Sequence, residues 1–424
     1  MLTAIVGINW GDEGKGRMVD LLSQSCQVVA RYQGGNNAGH TILAGGEKFV
    51  LNLLPSGILR QEVVNILGPG MVIDIAHLRG EMSRLAQRGV EIGPERLRIS
   101  GGACICLPAN VRQDCLEEDR LAGAKFGSTR RGIGPIYGDK YMKKALRMED
   151  LLEPERLERQ LARLLDWKNL LLKNGYGAAE ETLEATLSWL REHGEPLKPY
   201  ICDTGAVLEE AIAAGKEILF EAQLGALRDI DYGIYPYTSS STTLAAYAPI
   251  GAGIPGRRLD RVVGVMKAYS TCVGEGPFPC ELFGAEAEAL REAGGEYGAA
   301  TGRPRRVGPF DVPASRYGVR VQGADEVALT KLDVLSGMGE IPVCTGYRVD
   351  GVVTEEFPSG GRLERAEAVV ERLPGWGCDI GGCRRWQELP EEARRYVTYL
   401  EEAVRCPIRY VSVGADREAY ILRE

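Results

Sequence analysis

The sequence predicts an α/β fold with a large, mainly parallel central sheet, a phosphate loop after the first strand and a helical insertion. Three observations predict it. Strand-like apolar runs alternate with helical patterns along the chain. Several of these runs empty directly into glycine-rich or polar loops, as at the ligand-facing carboxyl ends of parallel strands. One stretch, about 150–195, is helical throughout, with Leu157, Leu161, Leu164 and Leu165, then residues 170–172, on one face among charged residues. No internal repeat, low-complexity tract or clean linker divides the 424 residues, so 1–424 reads as one domain with excursions.

The first strand is expected at 2–8, a short β-branched run suited to burial on both faces, and helical spacing resumes at 18–22. Between them Gly11, Gly14 and Gly16 let the backbone approach an anion, while Lys15 and a helix N-terminus supply positive field. The pattern G-x-x-x-x-G-K-[ST] fails twice, because Asn9 stands at the first glycine and Gly16 at the hydroxyl residue. What sets this loop apart is Asp12 beside Glu13. A carboxylate among phosphates is repelled unless a cation or a protonatable substrate atom compensates it, so Asp12 suggests a magnesium ligand, a general base, or both. Further strands are expected at 28–32, 63–67, 217–221, 261–267, 326–330, 341–347 and 407–413.

The net charge of −8 argues against general affinity for nucleic acid or anionic membranes, and no apolar stretch is long enough to span a bilayer. The N-terminus lacks the basic region and cleavage pattern of a secretory signal, which makes the cytoplasm the expected compartment. Eleven cysteines without zinc-ribbon spacing read as reduced thiols, and three histidines, His40, His77 and His193, make a histidine-rich metal site unexpected.

After the second strand comes Arg31-Tyr-Gln-Gly-Gly-Asn-Asn-Ala-Gly-His-Thr41, an active-site loop in character. Its glycines permit tight turns, Asn36 and Asn37 offer amide donors and acceptors, and His40 can act as an acid near neutral pH. Thr330-Lys-Leu-Asp333 closes another strand. There a carboxylate can accept from both N1 and the 2-amino group of guanine, a donor pair that adenine lacks. The loop within Val411-Ser-Val-Gly-Ala-Asp416 can flank such a base. Residues 298–308 carry Arg303, Arg305 and Arg306 on a loop punctuated by glycine and proline, a mobile anion clamp suited to a dicarboxylate.

The strings Trp10-Gly-Asp-Glu-Gly-Lys-Gly16, Tyr32-Gln-Gly-Gly-Asn-Asn-Ala-Gly-His-Thr41, Gly132-Ile-Gly-Pro135, Asp229-Ile-Asp-Tyr-Gly-Ile-Tyr-Pro236, Lys267-Ala-Tyr-Ser270, Gly276-Pro-Phe-Pro279, Thr301-Gly-Arg303 and Thr330-Lys-Leu-Asp333 run in register along nearly the whole chain. Together they resemble the adenylosuccinate synthetases. That resemblance implies GTP-dependent joining of IMP to L-aspartate with magnesium, through a 6-phosphoryl intermediate, on the route from IMP to AMP, by a homodimer that shares residues between subunits. It makes Asp12 the catalytic base and His40 the catalytic acid, with Asp12 and the carbonyl of Gly39 on magnesium. GTP would be held by Gly11, Asp12, Glu13, Gly14, Lys15, Gly16 and Arg17, by Gly39, His40 and Thr41, by Arg305, and by Lys331, Leu332, Asp333, Ser412, Val413 and Gly414. IMP would meet Asp12, Lys15, Asn37, Ala38, Gly39, His40, Thr129, Gln223, Thr238 and Arg303, with Lys143 reaching the neighbouring subunit's site. Aspartate would meet Ala299, Ala300, Thr301, Gly302, Arg303 and Arg305.

The chain departs from the family pattern on the substrate side. Phe220-Glu-Ala-Gln-Leu-Gly225 replaces F-E-G-A-Q-G, so the glutamine moves to Gln223 and Leu224 takes its place. Ser128-Thr-Arg-Arg-Gly132 adds Arg130, Lys143 replaces an arginine, Ala300 replaces a threonine, and Cys272, Glu275 and Cys280 replace common residues nearby. The readings therefore stay open between an adenylosuccinate synthetase, a paralogue condensing another 6-oxopurine nucleotide or amino acid, and a non-catalytic GTP-binding regulator.

Overall fold

The computed structural model describes every residue except 45, 46, 299–301, 303, 417 and 424. Ten strands form the central sheet, in the order Tyr420–Leu422, Ile408–Ser412, Glu326–Thr330, Arg261–Lys267, Leu2–Gly7, Ile218–Glu221, Val28–Arg31, Val64–Leu67, Leu97–Ser100 and Ile201–Cys202. Every neighbouring pair is parallel except the edge pair Ile408–Ser412 and Tyr420–Leu422. Leu2–Gly7 is buried along its whole length, as its continuous apolar run requires. Ile5 packs on one face with Met18, Val19, Val263 and Ala328, and Ala4 and Val6 pack on the other with Ala30, Tyr32 and Phe220. This places the carboxyl ends of Leu2–Gly7, Val28–Arg31, Ile218–Glu221, Arg261–Lys267 and Glu326–Thr330 along one edge of the sheet, where the sequence motifs begin.

The expected strand at 341–347 forms as Glu340–Val349, outside this sheet. It pairs antiparallel with Val352–Thr354 and Glu367–Pro374, and parallel with Phe310–Asp311. The two-residue link Asp350–Gly351, both at positive φ, folds the chain straight back and forbids a parallel crossover. The short strands Leu97–Ser100, Ile201–Cys202 and Tyr420–Leu422 carried too little pattern to be read in advance.

The helical insertion comprises Pro154–Leu170 and Leu183–Gly194, joined through a wider helical turn at Leu171–Gly175. Leu157, Leu161, Leu164 and Leu165 are buried together with Leu151, Leu190 and Leu197. Leu172 is buried as well, but Leu170 is half exposed, because three consecutive residues of a helix cannot share one face. All eleven cysteines are free. Among the described residues no helix is long and apolar enough to cross a membrane.

Candidate functional site

The loop after Leu2–Gly7 is organised by Glu13. Its carboxylate is turned inward, where Oε1 accepts from the amides of Asn9 (3.1 Å) and Gly11 (2.8 Å) and Oε2 from Lys15 Nζ (2.6 Å). Glu13 therefore closes the loop on itself and leaves Lys15 two donors for an anion. Thr330 Oγ1 donates to the Glu13 carbonyl (2.6 Å), tying the loop to the strand that carries Lys331 and Asp333. Gly14, with φ 92°, starts the helix Lys15–Leu22. Asn9 donates through Nδ2 to Ser315 Oγ (2.9 Å), so the residue that breaks the usual phosphate-loop pattern anchors the loop to a neighbouring helix. Asp12 is the more accessible carboxylate of the pair, half-buried where Glu13 is fully buried. It holds a left-handed backbone at φ 60°, an uncommon conformation outside glycine that concentrates at functional loops.

His40 opens the strand His40–Ala44, and Nε2 lies 3.3 Å from Glu221 Oε1 at the end of a central strand. Glu221 also accepts from Ser56, through the amide (2.8 Å) and the hydroxyl (3.0 Å). Gly16 explains the missing hydroxyl residue: a Cβ there would stand 2.9 Å from His40 Cδ2, so the helix start is kept bare to seat the imidazole. Burial lowers the His40 pKa to about 4, with Glu221 pulling the other way. An unfolded histidine titrates near 6.5, so neutral His40 contributes stability above that pH which is lost as pH falls toward 4, by at most about 3 kcal/mol. Denaturation of wild type and His40→Asn from pH 7 to 4.5 should show the wild-type advantage shrinking with acid. A constant difference would contradict this placement.

On the guanine side Lys331 sits at φ 62° and donates to the Gly294 carbonyl (2.5 Å). Burial raises the Asp333 pKa, opposed by Lys331 and Arg17. Leu332 and Val413 bury their side chains, so their backbones are what a ligand can meet. Arg17 fastens the opposite wall, donating to Ser412 Oγ (2.5 Å), to the carbonyls of Gly414 and Asp416, and to that of Ala419 (2.9 Å). In this structure Arg17 thus ties Ser412, Gly414, Asp416 and Ala419 together.

On the purine side Gln223 is buried, with Nε2 donating to the Gly35 carbonyl (2.8 Å), while its own carbonyl accepts from Gln33 Nε2 (2.8 Å). Leu224 takes a left-handed backbone at φ 59°. Gly225 is required beside it, because a Cβ there would lie 2.2 Å from the Asn9 carbonyl. Asn37 Oδ1 accepts from the Gly35 amide (3.2 Å), and the Ala38 carbonyl accepts from Asn52 Nδ2 (3.3 Å). Arg228 draws together the chain around Tyr237 and residues 272–275 through carbonyls of Tyr237 and Val273 and through Cys272 Sγ (3.1 Å). Thr238 follows Tyr237 and is half-buried, whereas Thr129 is exposed. Phe126 stacks edge-on against Tyr237, which brings the start of the 126–132 segment to the same wall. Lys143 is exposed after the helix Ile133–Tyr141.

Of the aspartate-loop residues, Ala299, Ala300, Thr301 and Arg303 lie outside the described residues. Gly302 donates its amide to the Gly298 carbonyl (2.8 Å). Arg305 stands between two carboxylates, with Nε 3.2 Å from Asp12 Oδ2 and Nη1 2.7 Å from Glu296 Oε2. Lys267 and Glu221 stand in the sequence strings quoted above without a role of their own, and Glu296 stands in none. Lys267 and Glu221 carry the weak signal of a charged residue ending a buried strand, and Glu296 carries none.

Comparison with known proteins bears directly on this arrangement. The adenylosuccinate synthetase family model matches residues 4–421. The adenylosuccinate synthetase of Halothermothrix orenii is 46% identical over 99% of this chain and 98% of its own length. That of Heliobacterium modesticaldum is also 46% identical, over 98% and 97% respectively. A structure of fully ligated adenylosuccinate synthetase from Plasmodium falciparum superimposes with a TM-score of 0.93 at 35% identity, covering all of both chains. A cyanophage S-2L succinoaminodeoxyadenylate synthetase shares the fold, with a TM-score of 0.59 at 20% identity over 99% of this chain and 94% of its own. The full-length family match, the near-half identity and the shared fold together establish that this chain belongs to the adenylosuccinate synthetase family, GTP-dependent ligases of AMP biosynthesis.

Proposed function

We propose that this site joins IMP to L-aspartate by way of 6-phosphoryl-IMP, with Asp12 as the base and His40 as the acid. The observation that carries the reading is the placement of a solvent-reachable carboxylate, Asp12, inside a loop otherwise arranged to receive phosphate. Asp12 removes the N1 proton of IMP, and the electron pair left behind makes the 6-oxygen a nucleophile toward the γ-phosphorus of GTP. The P–O bond to the β-phosphate breaks, and GDP leaves. The amine of aspartate then attacks C6, the C6–O bond breaks, and inorganic phosphate leaves with the purine's 6-oxygen and takes up the proton that His40 donates. The proton shed by the amine passes to solvent. Positioning and charge neutralisation supply most of the rate in such a phosphoryl step.

His40 enters this sequence with a proton balance set by its burial. Without ligand it is neutral near pH 7, and an arriving γ-phosphate adds the negative charge that draws a proton onto the ring. Lys15 and the start of Lys15–Leu22 face the phosphates, while Lys331, Asp333, Ser412 and Gly414 frame guanine. Gln223, Asn37, Thr129 and Thr238 serve IMP. Ala299, Ala300, Thr301, Gly302, Arg303 and Arg305 serve aspartate.

Magnesium suits the donors available, since that ion takes one or two protein oxygens and completes its shell with phosphates and water. The Asp12 carboxylate and the Gly39 carbonyl are the oxygens that would hold it, and there it would neutralise charge on the transferring phosphate. Arg305 occupies one Asp12 oxygen in this structure, so Asp12 must loosen that contact to serve metal or purine. The same reading includes a cytoplasmic homodimer in which Lys143 reaches the partner's site, with a compact ammonium where a fork would bind bidentately.

Purified protein mixed with GTP, magnesium, aspartate and IMP should form adenylosuccinate, seen by mass spectrometry with a GTP-dependent absorbance change. Absence of product, or product only with another 6-oxopurine nucleotide, would overturn the proposal.

A further inference from the structure

Behind the site lies a carboxylate that the reaction above does not use. Glu296 is fully buried, and its Oε1 accepts from Lys267 Nζ (2.8 Å) and from the Tyr269 hydroxyl (2.5 Å). Lys331 Nζ lies 3.9 Å from the same oxygen. Oε2 accepts from Arg305 Nη1 (2.7 Å), and the Glu296 carbonyl accepts from the Arg305 amide (2.9 Å), so Arg305 is held by both its backbone and its side chain. Although burial opposes ionisation, Lys267 and Lys331 hold the Glu296 pKa down to about 2.

A carboxylate that served packing alone would be balanced by Lys267, itself buried and steadied by Thr271 Oγ1 (2.9 Å). Here three cations, Lys267, Arg305 and Lys331, converge on Glu296, and Asp12 supplies a second carboxylate through Arg305. Three positive charges thus meet two negative ones within this network. When Asp12 turns to its own work, Arg305 loses one of its two carboxylates and keeps only Glu296.

We infer that Glu296 is a positioning residue that holds Arg305 and Lys331 in place, and so links the guanine loop to the loop that receives aspartate. The inference rests on the roles proposed above for Arg305 and Lys331. It assigns to one buried side chain the coupling of two substrate sites on different strands.

Glu296→Gln keeps the shape but removes the charge, and it turns an amide toward at least one cation. Its expected effect is a rise of about 30-fold or more in KM for aspartate, a smaller rise for GTP, and a change in KM for IMP within about 3-fold. Since the variant also strands the buried Lys267, Glu296→Gln combined with Lys267→Met removes both charges of that pair. The double variant should regain most of the lost Tm without regaining the KM for aspartate, and Glu296→Asp should restore part of both. A variant that lowers Tm or the active fraction while leaving KM for aspartate and GTP unchanged would overturn the inference. So would a double variant that restores KM together with Tm. Wild type assayed alongside separates the two readings, because inactive wild type refutes the proposed reaction, whereas active wild type with unmoved Michaelis constants refutes only the role of Glu296. Calorimetric titration of GTP into wild type and Glu296→Gln reads the effect on Lys331 independently of turnover, with weaker binding expected and unchanged binding contradictory.

Discussion

Replacing Asp12 by asparagine is expected to reduce kcat by about 10² to 10⁴, the range over which a positioned base contributes to a proton transfer. Asparagine preserves the size of the side chain and its place on the loop, but it cannot accept the N1 proton of IMP. It also lacks the negative oxygen that magnesium prefers. The loop should survive, because its internal bonds run through Glu13 and not through Asp12. The Arg305 contact at 3.2 Å loses its charge, yet Arg305 stays fixed by Glu296. GTP affinity should therefore change far less than kcat. Steady-state kinetics with a parallel GTP titration tests this, and a variant within tenfold of wild-type kcat would remove Asp12 from the role of base.

The second large effect concerns the nucleotide. Asp333 offers two acceptor oxygens, which match the N1 and 2-amino donors of guanine. Asparagine offers one acceptor and one donor. Asp333→Asn should lower kcat/KM for GTP by about 10² or more, since a site built around paired hydrogen bonds penalises a mismatched group heavily. The same change matches xanthine, whose 2-oxygen accepts where guanine donates, so XTP should become the better phosphoryl donor. Competition assays with GTP and XTP decide the matter. Equal loss with both nucleotides would mean that Asp333 shapes the loop without reading the base.

The fold was legible where a pattern had length. Residues 261–267 and 326–330 could be bounded from their apolar runs and formed as expected, because burial on both faces leaves a continuous signal. Glu340–Val349 was recognisable as a strand, but its sheet was not, since partner choice was decided by the Asp350–Gly351 turn and by a strand at 367–374. In the site, the residues expected to touch ligands stood on glycine-rich loops at strand ends and were visible as strings. Their supports were not visible. Glu296 lies 29 residues from Lys267 and 35 from Lys331 in sequence, so only folding reveals that one carboxylate serves both. Glu13 was legible as an acid but not as an inward one, because the direction of a side chain on a tight turn depends on which amides the turn leaves unpaired.

The central claim is that the 6-oxygen of IMP takes the γ-phosphoryl group of GTP and departs with it as phosphate, and isotope transfer tests it most directly. IMP carrying ¹⁸O at the 6-position, incubated with the enzyme, GTP, magnesium and aspartate, should deliver one ¹⁸O atom into each inorganic phosphate released, as read by mass spectrometry. Adenylosuccinate formed alongside unlabelled phosphate would contradict the account.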